Sequence, residues 1–156
     1  MKYYTFEWWY GEEEEEDEPA HPYTAYSSRI KEIENKLPNS VKEFMRDVSM
    51  HDSKIIKLDI GVDDKTVRVV SLGYGLNSYL TEYELCYSGF THYGTTSDPE
   101  KGLPGPHGYG DWGYDEFDLC DTGQFMHSVI FSSGIEMTIK FSDFSFKQKP
   151  AEAKLT

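Results

Sequence analysis

Apolar residues recur at two different periods along this chain, and the period changes near residue 50. Across residues 23–50 they recur every three or four positions, as in helices with one apolar face. Across residues 54–146 they alternate with polar residues, as in strands with one buried face. Residues 49–53 lie between the two patterns. The sequence therefore predicts helices first and a sheet afterwards.

Two helices fit the first pattern. The first begins near residue 27 or 28 and ends before Pro38, because the residue before a proline avoids the helical region. The second begins at Asn39 or Ser40, with Glu43 three residues after Ser40 as in a capping box. The apolar faces consist of Ile30, Ile33 and Leu37 in the first helix and Val41, Phe44, Met45 and Val48 in the second. Each face must lie against something, most simply the sheet that follows.

Six strands fit the second pattern, at residues 54–60, 66–72, 79–87, 114–120, 124–132 and 135–141. Ile56, Leu58 and Ile60 share one face of the first strand, and Phe144 and Phe146 extend the last one. Short turns between successive strands indicate an antiparallel meander. We predict an α+β fold in which two N-terminal helices pack on an antiparallel meander sheet of about six strands.

The length of 156 residues is typical of a single domain. We divide it into an aromatic arm and acidic linker at 1–22, a helical part at 23–50, and an antiparallel sheet at 53–146 with a long glycine-rich loop at 88–113. Two roles fit the aromatic arm: a segment laid over the core, or an exposed patch for a partner. Aromatic rings this dense usually pack, so we favour the first role.

The formal net charge is −13, and seven of the negative charges lie in residues 12–18, which leaves −6 on the rest of the chain. This balance disfavours nucleic acid as a partner, since no basic stripe offsets it. It suits a basic protein partner, although ordinary solubility is the simpler explanation of the remaining −6. The acidic run fits either a solvated linker or a lure for a basic partner.

The predicted cellular compartment depends on membrane-spanning, export and cysteine signals in the sequence. No segment reaches the ~20 apolar residues of a membrane span. The first ten residues lack the pattern of an export signal. Neither Cys86 nor Cys120 belongs to a CxxC pair. We therefore expect a cytoplasmic protein with reduced thiols and no membrane association.

His51, Asp52 and Ser53 have the residue types of a catalytic triad. Neighbouring residues of an extended chain point to opposite faces, however, so adjacency in sequence does not build a triad. We expect His51 and Asp52 to form a structural junction between helices and sheet. The alternative is an enzyme that combines them with a carboxylate such as Glu116.

Possible metal ligands occur at His92, His107 and Asp111, all in the glycine-rich segment. Their spacing matches no recognised ligand pattern. We therefore predict no metal and no cofactor, and we assign no catalytic residue.

An acidic and aromatic group follows the glycine-rich segment and is the best candidate for a partner-binding site. It consists of Asp111, Trp112, Tyr114, Asp115 and Glu116. Tryptophan and tyrosine supply large, rigid contact area at interfaces, and carboxylates pair with arginine or lysine of a basic partner. The competing interpretation is that Trp112 closes the end of the sheet core.

Three short stretches carry a resemblance. The aromatic opening at residues 1–9, the MHDSKI junction at residues 50–55 and the YDE at residues 114–116 resemble small bacterial domains of unknown function. Those domains have an aromatic N-terminal arm and an HD junction before the first strand, and some similar proteins are immunity proteins of toxin systems. The resemblance implies no catalytic residues, and the segment 94–110 lies outside it.

These observations favour a non-catalytic cytoplasmic binding protein, most concretely an immunity protein that neutralises a basic toxin by direct binding. One alternative is a small-molecule-binding module with its pocket between the glycine-rich segment and the tyrosine-rich face of residues 79–87. The other is a hydrolase with its site at the end of the sheet.

Overall fold

Two antiparallel sheets make up most of this protein. The computed structural model describes residues 1–11, 21–76, 78–97, 100 and 108–151. The helices are α1 (Phe6–Trp9), α2 (Pro22–Ile33) and α3 (Asn39–Asp47). The strands are β1 (Lys54–Gly61), β2 (Thr66–Gly73), β3 (Thr81–Ser88), β4 (His92–Thr96), β5 (Trp112–Leu119), β6 (Phe125–Phe131), β7 (Glu136–Phe141) and β8 (Asp143–Pro150). The acidic run at 12–18 lies outside the described residues.

The α+β class and the antiparallel pairing are confirmed, but the prediction of one six-stranded meander with two helices is wrong. The first sheet has the order β1-β2-β3-β8, and the second has the order β4-β7-β6-β5. β4 lies within the segment expected to be a loop, and β8 is a separate strand rather than an extension of β7. A third helix, α1, lies in the aromatic arm.

One paired ribbon runs through both sheets and explains the error. β3 pairs with β8 in the first sheet, and the same two chain segments continue as the pair β4 and β7 in the second. The ribbon crosses between the sheets at Gly89, whose φ is 63°, and Ser142. There the Ser142 N–H donates to the Ser88 carbonyl at 3.0 Å. Alternation of apolar residues persists through such a crossing, so the pattern alone does not reveal it.

A second connection joins the sheets where β1 and β5 begin. The Asp52 N–H donates to the Trp112 carbonyl, and the Trp112 N–H donates to the Ser53 carbonyl, both at 2.8 Å. The core between the sheets includes Val67, Val69, Leu85 and Tyr87 of the first sheet and Trp112, Phe117, Val129, Met137 and Ile139 of the second. Of the predicted tyrosine-rich face, Tyr83 and Tyr87 of β3 are buried, whereas Tyr79 lies before β3 and is 76% exposed.

A bulge in β1 changes which isoleucine faces the core. Ile55 is opposite Ser71, but Lys57 is opposite Val70, so Ile56 has no paired partner. Ile55 and Leu58 contact the core, whereas Ile56 is 53% exposed. The predicted face of Ile56 with Leu58 is therefore wrong, because one extra residue reverses the side-chain alternation before it.

The helices pack against the edge strands rather than across a sheet face. Phe44 of α3 contacts Phe117 of β5 and Phe144 of β8, and these strands are edges of different sheets. From α2, the Tyr26 hydroxyl accepts the Phe117 N–H at 2.8 Å, which satisfies a donor on the edge strand. The outer face of the first sheet instead carries exposed ion pairs, including Arg68 with Glu84 at 2.7 Å.

The helix starts also differ from the predictions. α2 begins at Pro22, where the His21 ring accepts the Tyr23 N–H at 3.2 Å. α3 begins at Asn39 as predicted, but Pro38 is its N-cap and no side chain completes a capping box. The buried Ser40 hydroxyl has no partner among the described residues. No helix in the described part of the chain combines the length and apolar character needed to span a membrane.

The aromatic arm packs on the second sheet. The Glu116 carboxylate accepts the backbone N–H groups of Lys2, Tyr3 and Tyr4 at 3.0, 2.6 and 2.7 Å. The ring of Tyr4 stacks on Tyr114 with centroids 5.1 Å apart. One buried carboxylate therefore holds three successive residues of the arm.

We expect Glu116→Gln to lower the free energy of unfolding by about 2 kcal/mol or more, because a neutral amide accepts these N–H groups far more weakly than a carboxylate. Urea unfolding measures the loss. The matched control is Glu84→Gln, whose partner Arg68 is on the surface. It should cost less than about 1 kcal/mol. Equal losses in the two variants would show that Glu116 does not anchor the arm.

Candidate functional site

A cleft opens between α2, α3 and β5, and we call it the helical cleft. Its volume is about 780 Å³. Tyr4, Tyr26 and Tyr114 contribute aromatic walls, and Asp115 contributes a carboxylate. The expected pocket position, between the glycine-rich segment and the tyrosine-rich face, differs from this one, since Gly113 is the one lining residue among those of 88–113 that the structure describes. The helices form the cleft because they rest on the edge of the sandwich.

Asp115 belongs to a chain of hydrogen bonds that reaches into the core. Its Oδ2 atom lies 2.6 Å from Nε2 of His127, and Nδ1 of His127 lies 2.6 Å from the Tyr87 hydroxyl. His127 and Tyr87 are fully buried, and the imidazole stacks on the Phe117 ring at 3.8 Å. These hydrogen bonds thus connect β3 through β6 to β5 and end at the cleft.

The protons of this chain can be assigned from its partners. Burial, with Asp115 nearby, raises the pKa of Tyr87 well above its usual value, so its hydroxyl keeps its proton and donates it to Nδ1. Nε2 of His127 then carries the other proton and donates to Asp115. Every proton in the chain has an acceptor in this arrangement. Asp115 is held in one orientation, and its Oδ1 atom has no hydrogen-bond partner among the described residues.

The tyrosines around Asp115 also keep their protons. Burial raises the pKa of Tyr26 well above its usual value, with a smaller contribution from the Asp115 charge. Burial and then Glu116 raise the pKa of Tyr4 to about 12. The cleft is therefore lined by neutral aromatic side chains around one carboxylate.

Basic residues lie at the helical side of the cleft. Lys31, Lys42 and Arg46 line it, together with Glu34. Arg46 is engaged by Asp47, at 2.8 and 2.9 Å. Lys31 and Lys42 have no ion-pair partner in the described ranges. Two lysines that are unpaired within the described ranges thus lie beside this cleft.

The five residues predicted to bind a partner do not form one surface. Trp112 is fully buried in the core, and Glu116 is buried beneath the arm. Tyr114 packs against the arm, Asp115 lines the cleft, and Asp111 pairs with Lys54 at 3.4 Å with 41% of its side chain exposed. Successive residues of a strand face opposite sides, and the register shifts between Trp112 and Tyr114, so this short segment reaches the core, the arm and the cleft.

His51 and Asp52 lie at the connection between the sheets. Nδ1 of His51 is 2.7 Å from the Gly113 carbonyl, and Asp52 has a φ of 65° where its N–H bonds to β5. The Ser53 hydroxyl accepts from Ser71 at 3.0 Å rather than joining His51. Glu116 is committed to the arm. These contacts form a structural junction and do not assemble the enzyme site considered from the sequence.

The metal candidates are not brought together in the described part of the chain. Among the described residues, no group of three or more His, Cys, Asp or Glu side chains is placed to hold a metal ion. His107 lies outside the described residues, and Asp111 faces Lys54.

His127 and Tyr87 were not singled out from the sequence. The available signal was a lone histidine on the apolar face that Phe125, Val129 and Phe131 form in β6. A buried histidine requires partners for both ring nitrogens. Those partners lie 40 and 12 residues away, so only the sheet topology reveals them.

No protein-family model matches this chain, and no curated protein matches it either.

We expect Tyr87→Phe and His127→Phe each to destabilise the fold by about 1–3 kcal/mol, since each leaves a buried polar atom without its partner. The double variant should cost less than the sum, with a coupling of about 1 kcal/mol, measurable by denaturant unfolding. Tyr83→Phe, on the same face of β3, is the control and should show no coupling with His127→Phe. Additive losses for Tyr87 and His127 would contradict the bond.

Alkaline titration should separate the buried tyrosines from the exposed ones. The pKa values of the buried tyrosines are higher in the folded state than in the unfolded state. Their contribution to the free energy of unfolding is therefore complete below about pH 10, the usual pKa of an unfolded tyrosine, and decreases as the pH rises above it. For Tyr4 the loss should extend to about pH 12. Absorbance at 295 nm should show a late phase that coincides with unfolding. Tyr87→Phe should reduce its amplitude, and a single early phase for all tyrosines would contradict this.

Proposed function

We propose that this chain is a non-catalytic cytoplasmic binding protein that neutralises a basic toxin by direct contact, as immunity proteins do. The observation that carries the proposal is an exposed apolar loop between β2 and β3. Tyr74, Leu76 and Tyr79 are 63, 67 and 76% exposed. Large apolar side chains clustered on a surface are typical of protein interaction sites.

Exposed carboxylates flank this loop. Gly73 lies against Ser53, since a Cβ atom on Gly73 would be 2.6 Å from that of Ser53. Asp52 precedes Ser53 and is 76% exposed. Asp111, which pairs with Lys54 and is 41% exposed, precedes Trp112, whose N–H bonds to Ser53. We call Tyr74, Leu76, Tyr79, Asp52 and Asp111 the loop surface.

The chemistry of the loop surface suits a basic partner. Tyrosine and leucine bury apolar area on contact, and tyrosine also offers a hydroxyl for a hydrogen bond. Carboxylates pair with arginine and lysine, and a net charge of −13 speeds encounter with a cationic protein. The resemblance of the aromatic arm and the HD junction to domains that include immunity proteins supports the same function.

The partner to test is a toxin-domain protein encoded beside the gene for this chain. The wild type should form a complex with that protein and restore growth of cells that express it. Leu76→Ser and Tyr79→Ser should each weaken binding by about thirtyfold, the effect of removing an interface hot spot of ~2 kcal/mol. Calorimetry measures the affinity and growth measures the protection.

Val62→Ser is the matched control, because Val62 is 75% exposed on the turn at the other end of β2. It should bind like the wild type. If both loop variants bind the partner with wild-type affinity, the loop surface is not part of the interface. Absence of both a complex and protection with the wild type would overturn the neutralisation proposal.

A further inference from the structure

We propose that the helical cleft is a separate binding site for a free basic amino acid, with L-arginine as the representative ligand. The cationic group is received by Asp115, and the carboxylate end lies at Lys31 and Lys42. This site lies on α2, α3, β5 and the side of the junction that carries His51, whereas the loop surface lies on the β2–β3 loop and carries Asp52. It therefore goes beyond the neutralising function.

The first argument is the free acceptor on Asp115. Its Oδ2 atom is occupied by His127, while its Oδ1 atom has no partner within the described chain and 26% of the side chain is exposed. Such an atom accepts one charged N–H group. Because His127 is stacked and bonded to Tyr87, the carboxylate is already in its binding orientation and little conformational freedom is lost on binding.

The second argument is the aromatic wall. Tyr4, Tyr26 and Tyr114 line the cleft beside Asp115. Tyrosine faces attract a cation through their quadrupole, and the attraction strengthens where water is partly excluded. A carboxylate surrounded by tyrosine rings thus selects a cation with an apolar stem over a strongly hydrated metal ion.

The third argument is the pair of lysines in the cleft, which have no ion-pair partner among the described residues. Lys31 and Lys42 would repel a ligand that carries only positive charge, such as a polyamine, and Asp115 would repel one that carries only negative charge. A basic amino acid satisfies both, because its side-chain cation can meet Asp115 while its carboxylate lies at the lysines and its α-ammonium group at Glu34, which also lines the cleft. The volume of about 780 Å³ is within the range of small-molecule sites.

Calorimetry with three probes tests this assignment. L-Arginine has both charges, L-citrulline replaces the guanidinium by a neutral urea, and agmatine lacks the carboxylate. We expect L-arginine to bind, and L-citrulline and agmatine to bind at least about tenfold more weakly, because each loses one charge-assisted contact. Equal heats for L-arginine and L-citrulline would overturn the proposal.

Two variants test which side chain contacts each end of the ligand. Asp115→Asn keeps an oxygen for the His127 N–H and should reduce L-arginine affinity about tenfold or more, to the level of L-citrulline. Lys42→Ala should weaken the binding of L-arginine but leave the affinity for agmatine unchanged. Lys42 is on the surface of α3, so this second variant remains informative if Asp115→Asn fails to fold.

Asp59→Asn and Lys149→Ala are the controls, since these charges lie on the first sheet outside the cleft. They should bind L-arginine like the wild type. Binding of N-acetyl-arginine amide but not of L-arginine would overturn the small-molecule assignment in favour of a protein side chain. Leu76→Ser should bind L-arginine like the wild type. A negative result for the ligand site can therefore be distinguished from a negative result for partner binding at the loop surface.

Discussion

Two backbone hydrogen bonds at the Asp52-Ser53 junction determine where the rest of this structure lies. They join the start of β1 to Trp112, so the two sheets meet at that corner. They also set the first residue of β5, and a register shift follows between Trp112 and Tyr114. Because side chains alternate from there, Asp115 lines the cleft and Glu116 lies under the arm. A junction with the residue types of a catalytic triad therefore acts through its backbone.

The second constraint is a polar side chain in an apolar core. His127 is enclosed by Phe117, Trp112 and Phe44, and a buried imidazole is stable only when both nitrogens have partners. Tyr87 and Asp115 supply them from different sheets. The same bonds that satisfy the core orient a carboxylate at the surface. Core packing and the proposed ligand site are thus linked through one residue.

Local signals predicted most of the elements and less of their arrangement. The strand β7 follows directly from apolar periodicity, and the start of α3 follows from the polar residues that come after Pro38. The bulge in β1 was missed, because a single unpaired residue leaves the composition of the strand unchanged. The acidic and aromatic group of β5 was treated as one surface, although Trp112 and Glu116 are buried for different reasons. Tyr74, Leu76 and Tyr79 were not selected, since nothing in their local sequence distinguishes exposed rings from packed ones.

By itself, the sequence determined the α+β class and the order of helices before strands. These properties depend on short-range periodicity, which a local stretch of chain contains. Only the tertiary structure decided that the strands form two sheets, that Glu116 holds the arm and that His127 joins Tyr87 to Asp115. Each of these depends on contacts between residues far apart in the chain, and such contacts are chosen by burial and hydrogen-bond satisfaction across the whole fold.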